Sequence, residues 1–260
     1  MAVTDAIREF RLALDVVEAN LNFTRASLRL RPRLNPLLNW QEVKGESKVL
    51  VDDFFGKDPV DSSPQYRGLI VVISGAFEQA VRRIVEEVII VFNSTDKGFD
   101  SIPRGIRVQN IIRTGRALVR VEEPLDHAPL NHQSLVEKLA TCKPGAAKFH
   151  LNPEVFSYFI SSITSEHLVE IFSLIEIPFN WDDVGRNADF EKRFVTKGAK
   201  ATGKAVAEHL GRFTKLRNTI AHSGAGGVVV TDAEVSDFIG FFRVFAGCLE
   251  AILNGRLKKL

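Results

Sequence analysis

The amino-acid sequence predicts an all-α protein, a four-helix bundle with additional short helices inserted between the second and third long helices. Three observations support this fold class. Apolar residues recur at steps of three and four along four long segments. Prolines divide the sequence between the second and third segments into short pieces. Thr231 and Glu234 form a capping-box pattern before the last segment. Residues 1–260 are expected to form a single domain.

The first two long helices are expected over residues 4–30 and 64–92. Pro32 and Pro36 are expected to end the first helix, and residues 35–64 are expected to be irregular. The second helix carries a wider apolar stripe, which favours a central helix contacted from two sides. The main positions of that stripe are Ile70, Ile73, Phe77, Val81, Ile84, Val88 and Val91.

Residues 95–200 make up the predicted insertion. Residues 168–177 are rich in branched side chains and could form a strand, but Glu170 and Glu176 fit a helical period better than an alternating one. Short helices are therefore expected at residues 107–120, 133–141, 153–161 and 165–176.

The last two long helices are expected over residues 202–223 and 231–253. Residues 226–230 between them could form a short extended turn. The final helix has an apolar stripe that consists of Val235, Phe238, Phe242, Phe245, Leu249 and Ile252.

Composition and charge exclude several classes of protein. The chain is 45% hydrophobic and 25% charged with a net charge of +2, so nucleic-acid binding must depend on local clusters. No secretion signal is visible, and no apolar run reaches the about 20 residues of a membrane helix. Cys142 and Cys248 are expected to be buried, unpaired thiols in a reducing compartment. The sequence predicts a cytoplasmic protein that makes no membrane contact and needs no cofactor.

Three histidines of the insertion are expected at the surface, without the cysteine or carboxylate spacing of a metal site. They are His127, His132 and His150.

A charged residue interrupts the apolar stripe of the third long helix. Spacings of four and three place Arg217 on the stripe formed by Val206, Leu210, Phe213 and Ile220. An arginine there must be paired, or must face a cleft or a partner chain. The plainer interpretation is a side chain that extends to solvent or forms a salt bridge.

Two further polar residues follow Arg217. Asn218 and His222 are four residues apart and therefore neighbours on the helix surface. Arg217 and His222 are five apart, about 140° around an ideal helix. Ser223 and Gly224 allow the helix to end just after His222. The plainer interpretation of His222 is a favourable interaction with the helix dipole.

Residues 216–224, LRNTIAHSG, resemble the signature of the HEPN superfamily, in which an arginine and a polar residue precede a histidine. Four residues separate Arg217 from His222 here, and Ser223 stands where many relatives have glycine. Residues 66–87, which include Phe77 and Glu78, resemble the second helix of the RiboL-PSP-HEPN and related groups. The resemblance covers the long helices well and residues 95–200 loosely.

The resemblance implies a HEPN-type bundle. Many members are metal-independent endoribonucleases that act as homodimers with a composite active site. Arg217 would then face the partner chain, and His222 could act beside the other chain's copy of Arg217. The implied biological setting is bacterial and antiviral defence, or a toxin with an antitoxin or defence-system partner.

The residue types suit RNA cleavage without a metal. RNA carries its own nucleophile, the 2′-OH, and histidine as a residue type exchanges a proton near neutral pH. Arg217 could bind phosphate oxygens, and Asn218 could position the histidine or the phosphate. Glu78 is a further catalytic candidate because the family often has an acid there, although it could simply pair with Arg82 on a solvated face.

Two basic clusters could bind RNA, one within residues 104–120 and one within residues 192–204 that leads into the motif helix. A run of charge is commonly an ordinary solvated face, but the first cluster contains no acid. The candidate RNA-binding residues are Arg113, Arg116, Arg120, Lys197, Lys200 and Lys204.

The sequence leaves three functional hypotheses. The first is a dimeric HEPN ribonuclease that leaves 2′,3′-cyclic phosphate and 5′-OH ends. The second is a non-catalytic HEPN module that binds RNA, nucleotide or a partner protein. The third is a helical interaction protein in which Arg217 and His222 are structural. The intact Arg217 and His222 favour the first.

Overall fold

The computed structural model describes residues 5–38, 62–120, 130–223 and 228–257. These ranges contain ten α-helices, a short 3₁₀ helix and no β-strand. None of the helices in these ranges combines the length and the apolar character that crossing a lipid bilayer requires.

Four long helices form the bundle: α1 (Asp5–Leu38), α2 (Ser63–Asn93), α9 (Ala199–Ser223) and α10 (Asp232–Leu257). Helix α1 packs against α2 and α10, and α2 also packs against α9 and α10. The predicted all-α four-helix bundle is therefore confirmed.

The insertion between α2 and α9 begins with a 3₁₀ helix at Phe99–Ser101. Helix, not strand, is found at the ambiguous residues 168–174. The sequence did not predict two of the short helices, α7 and α8, although Asn180 and Asn187 cap their first turns. The helices are α3 (Arg104–Val119), α4 (His132–Thr141), α5 (Pro153–Ser157), α6 (Ser165–Leu174), α7 (Trp181–Gly185) and α8 (Ala188–Phe194).

Helix α1 is longer than the sequence predicts. It continues through Pro32 and Pro36 to Leu38, so the expected end near residue 30 is wrong. A proline removes one helical hydrogen bond and can bend a helix without ending it. The rest of the expected irregular segment falls on residues 39–61, outside the described residues, as do residues 226 and 227 of the expected turn.

Phenylalanine rings from all four long helices meet in the core. The ring centroids of Phe77 and Phe242 lie 4.9 Å apart, those of Phe213 and Phe242 4.8 Å apart, and those of Phe10 and Phe77 5.7 Å apart. Such tilted and edge-on pairs stabilise a core beyond their buried area. The bundle therefore has one aromatic centre that fixes α9 against α2 and α10.

Two local predictions can be compared with the structure. The backbone N–H of Glu234 donates to Thr231 Oγ1 at 3.2 Å and that of Thr231 donates to Glu234 Oε2 at 2.9 Å, which confirms the capping box. Both cysteines are free, and Cys248 is buried. Cys142, however, is only half-buried, and its Sγ donates to the carbonyl of His150 at 3.3 Å.

Candidate active site

The motif helix α9 is held at two points. It crosses α7 at close range, because a Cβ on Gly203 would overlap the carbonyl of Trp181 and a Cβ on Gly185 would overlap that of Ala199. Farther along, the buried Thr214 hydroxyl donates to the carbonyl of Ile163 at 3.1 Å. These contacts place α9 beside the first turn of α6.

A groove of about 880 Å³ runs along α9 next to the first turn of α6. His222 lies at one end of its lining and Lys204 at the other, five helical turns apart along α9. The exposed His222 side chain is accessible to a bound molecule. The lining consists of Thr164, Ser165, Glu166, Lys204, Ala207, Glu208, Gly211, Thr214, Lys215, Asn218, Thr219 and His222.

Arg217 lies on another side of α9. It is half-buried, and it lines a small cavity between α2 and α9 together with Phe77, Glu78 and Asn218. The sequence predicts that this arginine forms a salt bridge or faces a cleft or a partner chain. The structure places it at a cleft within its own chain. Arg217 and His222 therefore line different spaces, as their angular separation on the helix predicts.

Asn218 lies at the junction of the two spaces, since it lines both the groove and the small cavity. Arg217 Nη1 donates to Asn218 Oδ1 at 3.1 Å. A guanidinium has only donors, so the amide oxygen must face Arg217. The Nδ2 hydrogens of Asn218 are thereby left to donate to an acceptor, such as a phosphate oxygen.

The sequence left two alternatives for Glu78, a position near the motif or a pair with Arg82 on a solvated face, and the structure has a part of each. Its Oε1 accepts from Arg82 Nη2 at 2.7 Å, and Arg82 also donates to the carbonyl of Ile160. The pair is not on a solvated face, because the side chains of Glu78 and Arg82 are only 23% and 12% exposed. Glu78 lines the cavity that contains Arg217, so its carboxylate is near the motif while it is paired to Arg82.

The groove carries charges of both signs. Lys215, which lies outside the two basic clusters of the sequence, is three residues before Asn218 on the same face of α9 and faces the groove. Lys204 Nζ lies 3.8 Å from Glu208. Hydrogen bonds from its own backbone N–H, from Ser165 and from Thr164 lower the pKa of Glu166, so this carboxyl is ionised at neutral pH. Lys204 and Lys215 thus share the groove with the carboxylates of Glu166 and Glu208.

The structure separates the candidate RNA-binding residues. Lys204 lines the groove, and the exposed Lys197 and Lys200 lie just before it. Arg113 is half-buried, donates to the carbonyl of Phe156 at 3.4 Å, and has its pKa lowered by burial and by the nearby Arg116. Arg113 is therefore engaged with the insertion, which leaves less of its guanidinium accessible than in an exposed arginine.

Arg116 on α3 and Arg120, which directly follows α3, are exposed, but neither lines the groove. The guanidinium carbon of Arg120 lies 5.6 Å from the centre of the Phe159 ring. These two arginines form a surface of their own within the insertion.

A second histidine of α9, His209, is buried among the rings of Phe194, Phe238 and Phe241. Burial lowers its pKa to about 4, although Asp237 acts in the opposite direction. Arg212 donates to its Nδ1 at 3.4 Å. His209 is therefore neutral and structural.

Among the described residues, no group of three or more histidine, cysteine or acidic side chains is placed to hold a metal ion. His150 is exposed and His132 is half-buried, while His127 lies outside the described residues.

Comparison with known proteins adds one match. No curated protein and no solved structure matches the chain significantly. A family model described as RiboL-PSP-HEPN matches residues 37–255, which include α2, α9 and nearly all of α10 but leave out most of α1. A HEPN domain indicates a nuclease or another RNA-related module. The chain belongs to the RiboL-PSP-HEPN family.

Proposed function

We propose that this protein is a metal-independent endoribonuclease of the HEPN type. The 2′-oxygen of a ribose attacks the adjacent phosphorus and the bond to the 5′-oxygen breaks, which leaves a 2′,3′-cyclic phosphate and a 5′-OH end. One proton leaves the 2′-OH and one must reach the 5′-oxygen. The observation that carries the proposal is the position of Asn218, which joins the groove of His222 to the cavity of Arg217.

Each motif residue has a role that its surroundings support. The exposed imidazole of His222 exchanges a proton with the RNA. The Asn218 amide, oriented by Arg217, donates to a phosphate oxygen. The half-buried charge of Arg217 stabilises the extra negative charge on phosphorus, because a charge acts more strongly where water is partly excluded. Glu78 supports Arg217 from α2.

A homodimer would complete this site. Within one chain His222 and Arg217 line different spaces, and cleavage needs one group to take a proton and another to give one. A second chain packed along the same helix α9 would supply a second His222 and a second Arg217. The setting we propose is bacterial defence or a toxin role, with an antitoxin or defence-system partner.

A non-catalytic module is the second candidate. The carboxylates of Glu166 and Glu208 in the groove would repel a phosphate backbone, whereas they could pair with basic groups of a partner protein. In that case the groove binds a partner and the RNA is not cut.

The deciding experiment is incubation of the full chain with RNA in EDTA. Wild type should cut RNA and should fail on DNA and on RNA with 2′-O-methyl groups, because both lack the nucleophile. His222→Ala should lose about 10²–10⁴-fold in rate, and Arg217→Ala about 10²–10³-fold. His222 is exposed, so its substitution should change the free energy of unfolding by less than about 0.5 kcal/mol.

The matched control is His150→Ala, which removes an exposed histidine on the insertion and should leave cleavage unchanged. Equal cleavage by wild type and His222→Ala, or loss of all activity in EDTA, would show that the proposed mechanism is wrong. A folded wild type that neither binds nor cuts RNA would support the non-catalytic alternative.

A further inference from the structure

The outer face of α1 carries an apolar stripe that is exposed among the residues that the structure describes. Leu12 is 56% exposed, Val16 60%, Phe23 64% and Leu30 50%. The opposite face of the helix is fully buried, for example at Leu14, Val17 and Leu21. With two exposed alanines, the outer stripe consists of Leu12, Val16, Ala19, Phe23, Ala26 and Leu30.

The spacing of the outer stripe is that of a coiled coil. Its six residues follow one another at steps of four, three, four, three and four. This is the a/d rhythm of the heptad repeat, which keeps a straight line of apolar side chains facing a partner helix. A stripe that needed only to pack within a globular domain would lie on the buried face. The outer stripe therefore fits another helix.

We propose that this partner is α1 of a second copy of the chain, packed antiparallel. We centre the pair on Leu21. Each residue on one side of Leu21 then lies beside the partner-helix residue that is equally far from Leu21 on the other side. Leu12 then meets Leu30, Val16 meets Ala26, and Ala19 meets Phe23. Two of the three layers set a large side chain against a small one, which is the complementarity that close packing requires.

The charges beside the outer stripe favour the same orientation. Asp15 and Arg29 lie on one flank, near its two ends. An antiparallel pair brings Asp15 of each copy next to Arg29 of the other, whereas a parallel pair brings Asp15 next to Asn20. Asp15 already accepts from Arg243 at 2.6 Å, so its carboxylate is held on that flank. Complementary flanking charges set the orientation of coiled coils.

The pairing costs little because α1 is already folded. It packs against α2 and α10 in a single chain, so association need not nucleate a helix. The outer stripe spans residues 12–30, about 27 Å of helix. Since none of the described side chains of α1 lines the groove, this interface leaves the groove open. A dimer through the groove and a dimer through α1 could then coexist in one larger assembly.

Sedimentation velocity on the full chain tests the surface. At tens of micromolar wild type should form a larger species than Phe23→Asp does, because this substitution should weaken the association through α1 by more than about tenfold and leave any dimer through the groove in place. Val195→Asp is the matched control, because Val195 is 91% exposed and lies far from the outer stripe in sequence. Circular dichroism should show both variants folded. A monomeric wild type, or association that Phe23→Asp leaves unchanged, would overturn the proposal.

A charge exchange tests the orientation. Arg29→Asp and Asp15→Arg should each weaken association about two- to fivefold, as exposed ion pairs do. The double variant should recover it, because the two charges again meet as opposites. Arg243 keeps Glu18 as a partner at 2.7 Å in these variants. A double variant that associates no better than either single variant would exclude antiparallel pairing.

Discussion

At the scale of single residues, the hydrogen bonds within the chain determine which polar atoms of the motif stay available to a bound molecule. Arg217 donates to Asn218, and the amide hydrogens of Asn218 stay available on the groove side. One carboxylate oxygen of Glu78 accepts from Arg82, so Glu78 lies near the motif as a paired carboxylate. His222 differs from these three because it is exposed. The motif therefore combines one accessible imidazole with a positioned amide and a partly desolvated charge.

His209 predicts a dependence of stability on pH. Its pKa is about 4 in the folded chain, because burial disfavours the charged imidazole, and about 6.5 in an unfolded chain. Between these values the unfolded state binds more protons, so the free energy of unfolding should fall as the pH drops from about 6.5 to 4. The loss should be at most about 3 kcal/mol. Asp237, Arg193 and Arg212 surround the ring and contribute to the shift.

Urea unfolding of wild type and His209→Gln across this pH range measures the effect. The variant should lose most of the slope, since it has no imidazole to titrate. His150→Gln removes an exposed histidine and should keep the wild-type slope. Identical slopes for wild type and His209→Gln would show that another group causes the pH dependence.

At the scale of elements, the position of the groove depends on the crossing of α7 and α9. Gly185 and Gly203 allow the two helices to touch through their backbones. Thr214 then connects α9 to Ile163, just before the helix α6 that borders the groove. The short helices of the insertion thus act on the site by setting where α9 lies.

A methyl group at this crossing should be costly. Gly203→Ala places a Cβ against the Trp181 carbonyl, where backbone cannot yield easily, and should lower the free energy of unfolding by about 1–3 kcal/mol or more. Gly211→Ala is the control on the same helix. Among the described residues, nothing beyond the backbone of its own helix turn lies within 4 Å of its Cβ position, so helix propensity should raise stability by up to about 1 kcal/mol. Equal stability of the two variants would contradict the close crossing.

At the scale of the whole molecule, the basic residues form two separate surfaces. Lys204 and Lys215 line the groove that contains His222, while Arg116 and Arg120 lie on and just after α3 in the insertion. Two acids share the groove with the lysines. An RNA strand laid along the groove from His222 to Lys204 would also pass Lys215, whereas Arg116 and Arg120 do not line that groove.

Charge reversal can compare these surfaces. Lys204→Glu with Lys215→Glu should weaken RNA binding and flatten the plot of log affinity against log salt by about 1.4, because two phosphate contacts are lost. Arg116→Glu with Arg120→Glu makes the same change in net charge and should have a smaller effect. A larger effect from the α3 pair would show that the insertion is the main RNA-binding surface.

The four long helices could be predicted because helical periodicity is a local property. Residues three and four apart share a face whatever lies beyond, so spacing alone predicts that Phe77, Phe213 and Phe242 lie on core faces. The capping box could be predicted for the same reason. The end of α1 could not, because a proline lowers the stability of a helix locally without deciding whether neighbouring turns persist.

The sequence by itself determined that Arg217, Asn218 and His222 share one helix and that Arg217 and His222 point in different directions. The tertiary structure alone decided what each of them faces. Arg217 meets α2, His222 meets a groove shared with α6, and Lys215 and Glu166 join that groove from elements far apart in sequence. The physical reason is that spacing fixes the angle between side chains on one helix, whereas long-range packing fixes which neighbour lies at that angle.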